Sequence, residues 1–234
     1  ARERDVSMNI RIYDTYDQMS RAAADFVIAQ LLLKPESHIG LTAGKTPIGM
    51  FAALVDSYRS GAVGFGQATF YNLEEKFGLA ADDPATCRNY FHRHLLDHTD
   101  ITDDQLLLPD QPADDLAQAC AAYDALLESL PGHRLDMQIL GIGENAHIGM
   151  NHPKEALPLG VHKETRGPVE YAAMGLRNIL CAERILLIAN GTSKAQAVAD
   201  MCRGDVVTTA IPATLLQLHP DVTVLLDCEA ATLL

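Results

Sequence analysis

"SHIGLTAGKTPIGMFAALVDSYRSG", Ser37 to Gly61, sets a short apolar run against a turn and follows it with an amphipathic stretch. "SHIGLTAG" reads as a strand, and "TPIGMFAALVDSYRSG" spaces its apolar residues as a helix that stops near Gly61. Thr46 is the expected N-cap, with Pro47 in the first turn. Outward in both directions the same alternation recurs. "NIRIYD", "ATFYNLEE", "LDMQILGIG", "ERILLIAN" and "VTVLLDC" read as strands; "DQMSRAAADFVIAQLLL", "ATCRNYFHRHLLDHT" and "SKAQAVADMC" read as helices. Strands this apolar must be covered on both faces. The expected fold class is therefore α/β, a single-domain, mostly parallel Rossmann-like sheet with helices on both sides, spanning residues 1–234.

Composition narrows the function classes. Of the 234 residues, 48% are hydrophobic and 21% charged, enough for a sizeable core, with disorder expected only at the first few residues. A formal charge of −13 argues against nucleic-acid or anionic-membrane partners, which require a basic surface. No run approaches the ~18 apolar residues of a membrane span. The opening "ARERDVSMNIRIYD" lacks the apolar core of a secretory leader, so a cytoplasmic location is expected. Cys87, Cys120, Cys181, Cys202 and Cys228 form no CxxC pair, which points to small hydrophobes and away from disulfides or structural zinc.

In a parallel sheet, ligands bind beyond the carboxyl ends of the strands. Four loops there carry chemistry-bearing residues. Thr42, Ala43, Gly44, Lys45 and Thr46 offer backbone N–H groups, two hydroxyls and a cation to an anion, although the P-loop and GxGxxG patterns are absent. After "ERILLIAN", Lys194 stands in the first turn of a helix, where it opposes the macrodipole unless an anion sits nearby. Glu74 and Glu75 end a strand, so at most one of them faces a cleft, and a desolvated carboxylate there would have a raised pKa suited to a general base. "LGIGENAHIGMNHP", Leu140 to Pro153, places His147 in a glycine-punctuated turn between Asn145 and His152, neither of which supplies a negative charge; Glu144 is a nearby carboxylate.

These segments resemble the sugar-phosphate isomerase superfamily of glucosamine-6-phosphate deaminase, 6-phosphogluconolactonase and ribose-5-phosphate isomerase. "LTAGKTPIGMFAAL", "FYNLEEKFGL", "DPATCRNYFHRHLL", "LDMQILGIGENAHIGMNHP" and "VVTTAIPATLLQLHPDVTVLLD" are most similar to the aminosugar-phosphate deaminases, in particular the galactosamine-6-phosphate type. The "SDER" strand end and "DGHTASLFP" loop of the lactonase branch have no close match. The resemblance implies a cytoplasmic enzyme with no metal or other cofactor. It would turn a 2-amino-2-deoxyhexose 6-phosphate and water into a ketohexose 6-phosphate and ammonia.

The resemblance also implies roles. Glu74 matches the acid that moves a proton between C2 and C1, Glu75 the acid beside it, and His147 the ring-opening histidine. Thr42 to Thr46 and Lys194 match the phosphate-binding loop and lysine, and Gly143 is a candidate substrate contact. The glucosamine enzymes carry aspartate at the Glu74 and Asn145 positions and glutamate at that of His152. Pro158 to Arg177 is shorter than the family's segment, which holds a mobile lid and a phosphate-binding arginine, and Arg166 is the nearby candidate for that arginine. Some family members are hexamers, so a homo-oligomer is one of the assemblies left open. Two alternatives stay open: a non-catalytic sugar-phosphate-binding regulator, and a lactonase-like hydrolase.

Overall fold

A computed structural model describes residues 8–80, 82–109 and 115–234. The expectations about the chain's opening residues fall largely on 1–7, outside that set. In chain order the elements are β1 (Asn9–Tyr13), α1 (Tyr16–Leu33), β2 (His38–Leu41), α2 (Ile48–Arg59), β3 (Thr69–Asn72), β4 (Glu74–Lys76), α3 (Cys87–His94), β5 (Leu106–Leu107), α4 (Leu116–Glu128), β6 (Met137–Leu140), β7 (His162–Arg166), β8 (Val169–Ala173), α5 (Leu176–Leu180), β9 (Arg184–Ala189), α6 (Ala195–Arg203) and β10 (Val222–Asp227). Short 3₁₀ turns punctuate the connections, including Thr192–Lys194 just before α6 and Pro212–Leu218 before β10.

Seven strands form a parallel sheet in the order β1-β10-β9-β6-β2-β3-β5. Alternation along the strands feeds two cores. Ile39, Phe70, Ile139, Leu186 and Leu225 point to the face covered by α1, α2 and α3, where Met19, Phe51 and Phe91 are buried. Tyr71, Leu140, Leu187, Val224 and Leu226 point to the face covered by α4, α5 and α6, with Tyr123, Ile179 and Val198. This is the expected mostly parallel architecture. Winding outward in opposite directions, β2 leads to β3 and β5, whereas β6 leads to β9 and β10, so the order reverses between β2 and β6. At that junction Gly40 pairs with Gln138, and a Cβ on Gly40 would lie 2.1 Å from the Gln138 side chain.

Several expectations are corrected. "ATFYNLEE" is not one strand: β3 ends at Asn72 and β4 joins a separate antiparallel sheet in the order β4-β8-β7. The turn before α2 is longer than expected, so the helix begins at Ile48 with Pro47 at its cap and no side-chain cap bond; the Thr46 hydroxyl donates instead to Asn190 Oδ1 at 2.7 Å. Cys181 and Cys228 are exposed, unlike the buried Cys87 and Cys120. The short segment from Pro158 to Arg177 is a hairpin, β7 and β8, followed by the start of α5, and is tied at its base by Leu176 N–H to Pro158 O (3.0 Å) and Arg177 N–H to Leu159 O (2.8 Å). No helix among the described residues is long and apolar enough to cross a membrane.

Candidate active site

Beyond the carboxyl ends of β2, β6 and β9 lies a cleft of about 570 Å³, at the point where the strand order reverses. Its lining comes from residues 42–47 after β2, Glu74 from β4, residues 141–145, 147, 149 and 150 after β6, Arg166 from the end of β7 and Lys194 ahead of α6. Thr42, Ala43, Gly44, Lys45, Thr46, Glu74, Gly143, Asn145, His147, Arg166 and Lys194 thus converge on one space. Glu75 and His152 do not line it.

The 42–47 loop is held from behind by residues that local sequence patterns do not single out. Tyr16 Oη donates to Thr46 O at 2.9 Å and accepts from Gly49 N–H at 2.8 Å, while Tyr90 Oη donates to Gly44 O at 2.6 Å. Gly44 has φ 127°, a backbone that side-chain-bearing residues rarely adopt. Asn190, through Thr46, couples this loop to the one carrying Lys194. Gly191 N–H is anchored on the buried Asp227 carboxylate at 3.0 and 3.1 Å. Three cations, Lys45, Lys194 and Arg166, therefore enter one cleft of a chain with net charge −13, which suits a strongly anionic ligand.

Strand alternation separates the two glutamates. Glu74 turns to the cleft, and its Oε2 is sealed from solvent with no hydrogen-bond partner. Burial, aided by the neighbouring Glu75 charge, pushes its carboxyl up to about 7. Glu75 turns the other way and caps the start of α3, its Oε1 accepting from Cys87 N–H at 2.8 Å and its Oε2 from Arg88 N–H at 3.0 Å. That geometry satisfies orphan helix N–H groups and leaves Glu75 facing away from the cleft.

His147 owes its place to two backbone features. Ala146 takes φ 59°, and Gly143 leaves room where a Cβ would meet His147 Nδ1 at 1.9 Å. Asn145 Oδ1 accepts from His147 Nδ1 at 2.6 Å, which sets the tautomer with its proton on Nδ1 and a lone pair on Nε2. Glu144 is exposed at the rim, so the amide and not that carboxylate contacts the imidazole. Burial, then His152, Arg166 and Lys194, hold the His147 pKa down at about 3, so the ring is neutral near pH 7. The buried His152 packs against it, with ring centroids 4.0 Å apart and ring planes tilted by 44°. Among the described residues no group of three or more His, Cys, Asp or Glu side chains is placed to hold a metal ion.

Residues 14–225 match the family model described as glucosamine-6-phosphate isomerases/6-phosphogluconolactonase. The glucosamine-6-phosphate deaminase of Thermoanaerobacter pseudethanolicus is 35% identical across 97% of this chain and 95% of its own, and that of Halothermothrix orenii 37% identical across 97% and 100%. The solved structure of a monomeric glucosamine-6-phosphate deaminase superposes with TM-score 0.92 at 34% identity, covering 97% of this chain and all of its own. A 6-phosphogluconolactonase from Trypanosoma brucei shares the fold at TM-score 0.75 and 21% identity. The chain therefore belongs to the family of glucosamine-6-phosphate isomerases and 6-phosphogluconolactonases.

Proposed function

We propose that this protein is an aminosugar-phosphate deaminase, converting a 2-amino-2-deoxyhexose 6-phosphate and water into a ketohexose 6-phosphate and ammonia, and that it acts in the cytoplasm. The observation that carries the reading is Glu74: a desolvated carboxyl with an unpartnered oxygen, in the same cleft as a neutral histidine and three cations.

Lys45, Lys194, Arg166 and the 42–46 loop hold the phosphate. His147 Nε2 takes the proton of the anomeric hydroxyl and a proton returns to the ring oxygen, opening the sugar. Glu74 then removes the C2 proton and delivers it to C1, while O1 gains the proton that the amino nitrogen gives up, which converts the open-chain aminoaldose through an enolamine into a 2-imino ketose. Water adds at C2 and ammonia leaves, completing the balance. A carboxyl near pH 7 is matched to both halves of this transfer, because it is basic enough to accept and acidic enough to give the proton back.

Ammonia release from glucosamine 6-phosphate and galactosamine 6-phosphate is the test. Both C4 epimers are tried because "TAIPATLLQLHP" points to the galacto type, whereas the relatives named above carry the gluco name. Glu74→Gln is expected to lower turnover by roughly 10³-fold while phosphate-ligand affinity changes little. Retained activity in Glu74→Gln would overturn the assignment. Binding of both sugars without turnover by the native protein would indicate a sensor, and release of acid from 6-phosphogluconolactone alone would indicate a lactonase.

A further inference from the structure

The antiparallel sheet β4-β8-β7 carries a tyrosine that the reaction above does not use. Register places Glu74 opposite Ala173 and Arg166 opposite Val169, so Tyr171, on the middle strand β8, stands one diagonal step from each. Strand alternation turns all three side chains to the same face of the sheet. Diagonal neighbours lie about 7–8 Å apart, within reach of an aromatic ring. Glu74 and Arg166 line the cleft, and Tyr171 is half-buried between them. Its two directly opposite neighbours are tied elsewhere: Lys76 Nζ donates to Ala85 O at 2.6 Å, and Glu164 pairs with Lys154. Tyr16, Tyr90 and Tyr123 each donate their hydroxyl to a carbonyl oxygen, whereas among the described residues the Tyr171 hydroxyl has no such partner. Burial raises the pKa of this phenol; Cys87 and Glu74 add to the rise, Arg166 opposes it and Glu75 adds to it. The hydroxyl is therefore protonated near pH 7 and able both to donate and to accept.

The proposed reaction assigns the two ends of the sugar. Glu74 works on the C1–C2 bond, and Arg166 is one of the cations on the phosphate. Midway along the sugar between that bond and the phosphorus lie C4 and C5; in the ring form C5 bears the ring oxygen, so the free hydroxyl there is the one on C4. A sugar hydroxyl that loses water on entering a cleft needs a new partner, and a phenol without protein bonds supplies one. Resting on that reading of the cleft, we propose that Tyr171 is a specificity-determining residue, whose hydroxyl bonds the C4 hydroxyl of the bound hexose 6-phosphate in one C4 configuration and not in the other. Inversion at C4 swings the hydroxyl between the rim and the face of the ring, and a donor fixed on a paired strand meets it in only one of those places. A site built to bond a hydroxyl discriminates against the sugar that does not present it, because the polar group is then left unpaired.

Tyr171→Phe removes this hydroxyl and nothing else. Glucose 6-phosphate and galactose 6-phosphate differ only at C4 and lack the amino group, so both are titrated calorimetrically against the whole protein without deamination, with inorganic phosphate alongside. The native protein is expected to bind one epimer more tightly. Tyr171→Phe should weaken that epimer by about five- to tenfold, the scale of one hydrogen bond, while the other epimer and inorganic phosphate change by less than about twofold and the Tm stays at the native value. The proposal is overturned if the native protein does not distinguish the epimers, or if Tyr171→Phe leaves the ratio of their affinities unchanged. It is also overturned if inorganic phosphate is weakened in parallel, which would make Tyr171 a support for Arg166. Discrimination that depends on Tyr171, without ammonia release from either aminosugar phosphate, would count against the proposed reaction and leave the contact standing. An unchanged ratio beside ammonia release that requires Glu74 would count against Tyr171 alone.

Discussion

The chemistry of the cleft is decided by a few atoms. At Gly143 a single methyl group would occupy the space of the His147 ring. Gly143→Ala is therefore expected to break the Asn145–His147 bond and lower kcat by about 100-fold, the scale of a misplacement near 1 Å. Steady-state kinetics on the purified variant check this, and an unchanged kcat would remove His147 from the reaction. At Glu74 the raised pKa has two consequences with opposite signs. Activity needs the carboxylate, so kcat/KM should climb with pH to a midpoint near 7. Stability runs the other way. The folded state binds the Glu74 proton more tightly than the unfolded chain, so between about pH 4.5 and 7 this residue costs stability as pH rises. Glu74→Gln should then be more stable than the native protein at pH 8, by about 2 kcal/mol after allowing for partial exposure, and indistinguishable at pH 4. Denaturant unfolding at the two pH values measures the difference; a gap at pH 4 equal to that at pH 8 would show that the charge is not its source.

At the level of elements, the two neighbouring glutamates illustrate what a local pattern does and does not reveal. The alternation rule says that Glu74 and Glu75 diverge, but which one faces the cleft depends on β4 leaving the main sheet to pair Glu74 with Ala173, about a hundred residues away. A three-residue strand has no period to read, and its partner is set by tertiary pairing. The same holds for β7 and β8, whose charged, half-exposed residues resemble a loop until Gly167 turns the hairpin at φ 57°. By contrast, the apolar strands β2, β6, β9 and β10, and the helices α2 and α6 that follow β2 and β9, were legible, because burial on both faces leaves continuous hydrophobic runs. The loops after β2, β6 and β9 pointed to the cleft for that reason. The Tyr16, Tyr90 and Asn190 props carried no signal, since their partners are backbone or side-chain oxygens 30 to 144 positions away. Glu75, as a helix cap, yields its own prediction. Glu75→Ala should destabilise the protein by about 2–3 kcal/mol, because two charge-assisted bonds to α3 N–H groups are lost, and should affect activity mainly through Glu74's surroundings. Thermal unfolding checks it, and a Tm equal to the native value would mean that Thr86, whose hydroxyl accepts from Asn89 N–H, is a sufficient cap on its own.

Across the whole molecule, histidines dominate the response to acid. Of the nine in the chain, His38, His94, His147, His152 and His162 all have lowered pKa values, with desolvation as the leading cause in each. A histidine held neutral in the folded state binds its proton more readily when unfolded. Its contribution is therefore intact above about pH 6.5 and is lost as pH falls toward the folded value. Glu74 acts in the opposite sense between 4.5 and about 7, but His147 alone, displaced from 6.5 to about 3, covers a wider interval, and four further histidines share its sign. Stability should consequently fall as pH drops from 7 to 5, and more steeply below 4.5, where Glu74 no longer compensates. Replacing His147 by Gln should flatten this profile while removing the ring-opening group, so acid tolerance and activity are expected to trade against each other at one position. Calorimetric Tm values for the native and His147→Gln proteins at pH 7.5, 6, 5 and 4 provide the measurement. A native Tm that holds steady to pH 4, or parallel curves for the two proteins, would show that these imidazoles are reached by water without unfolding and that the cleft is less desolvated than its packing indicates.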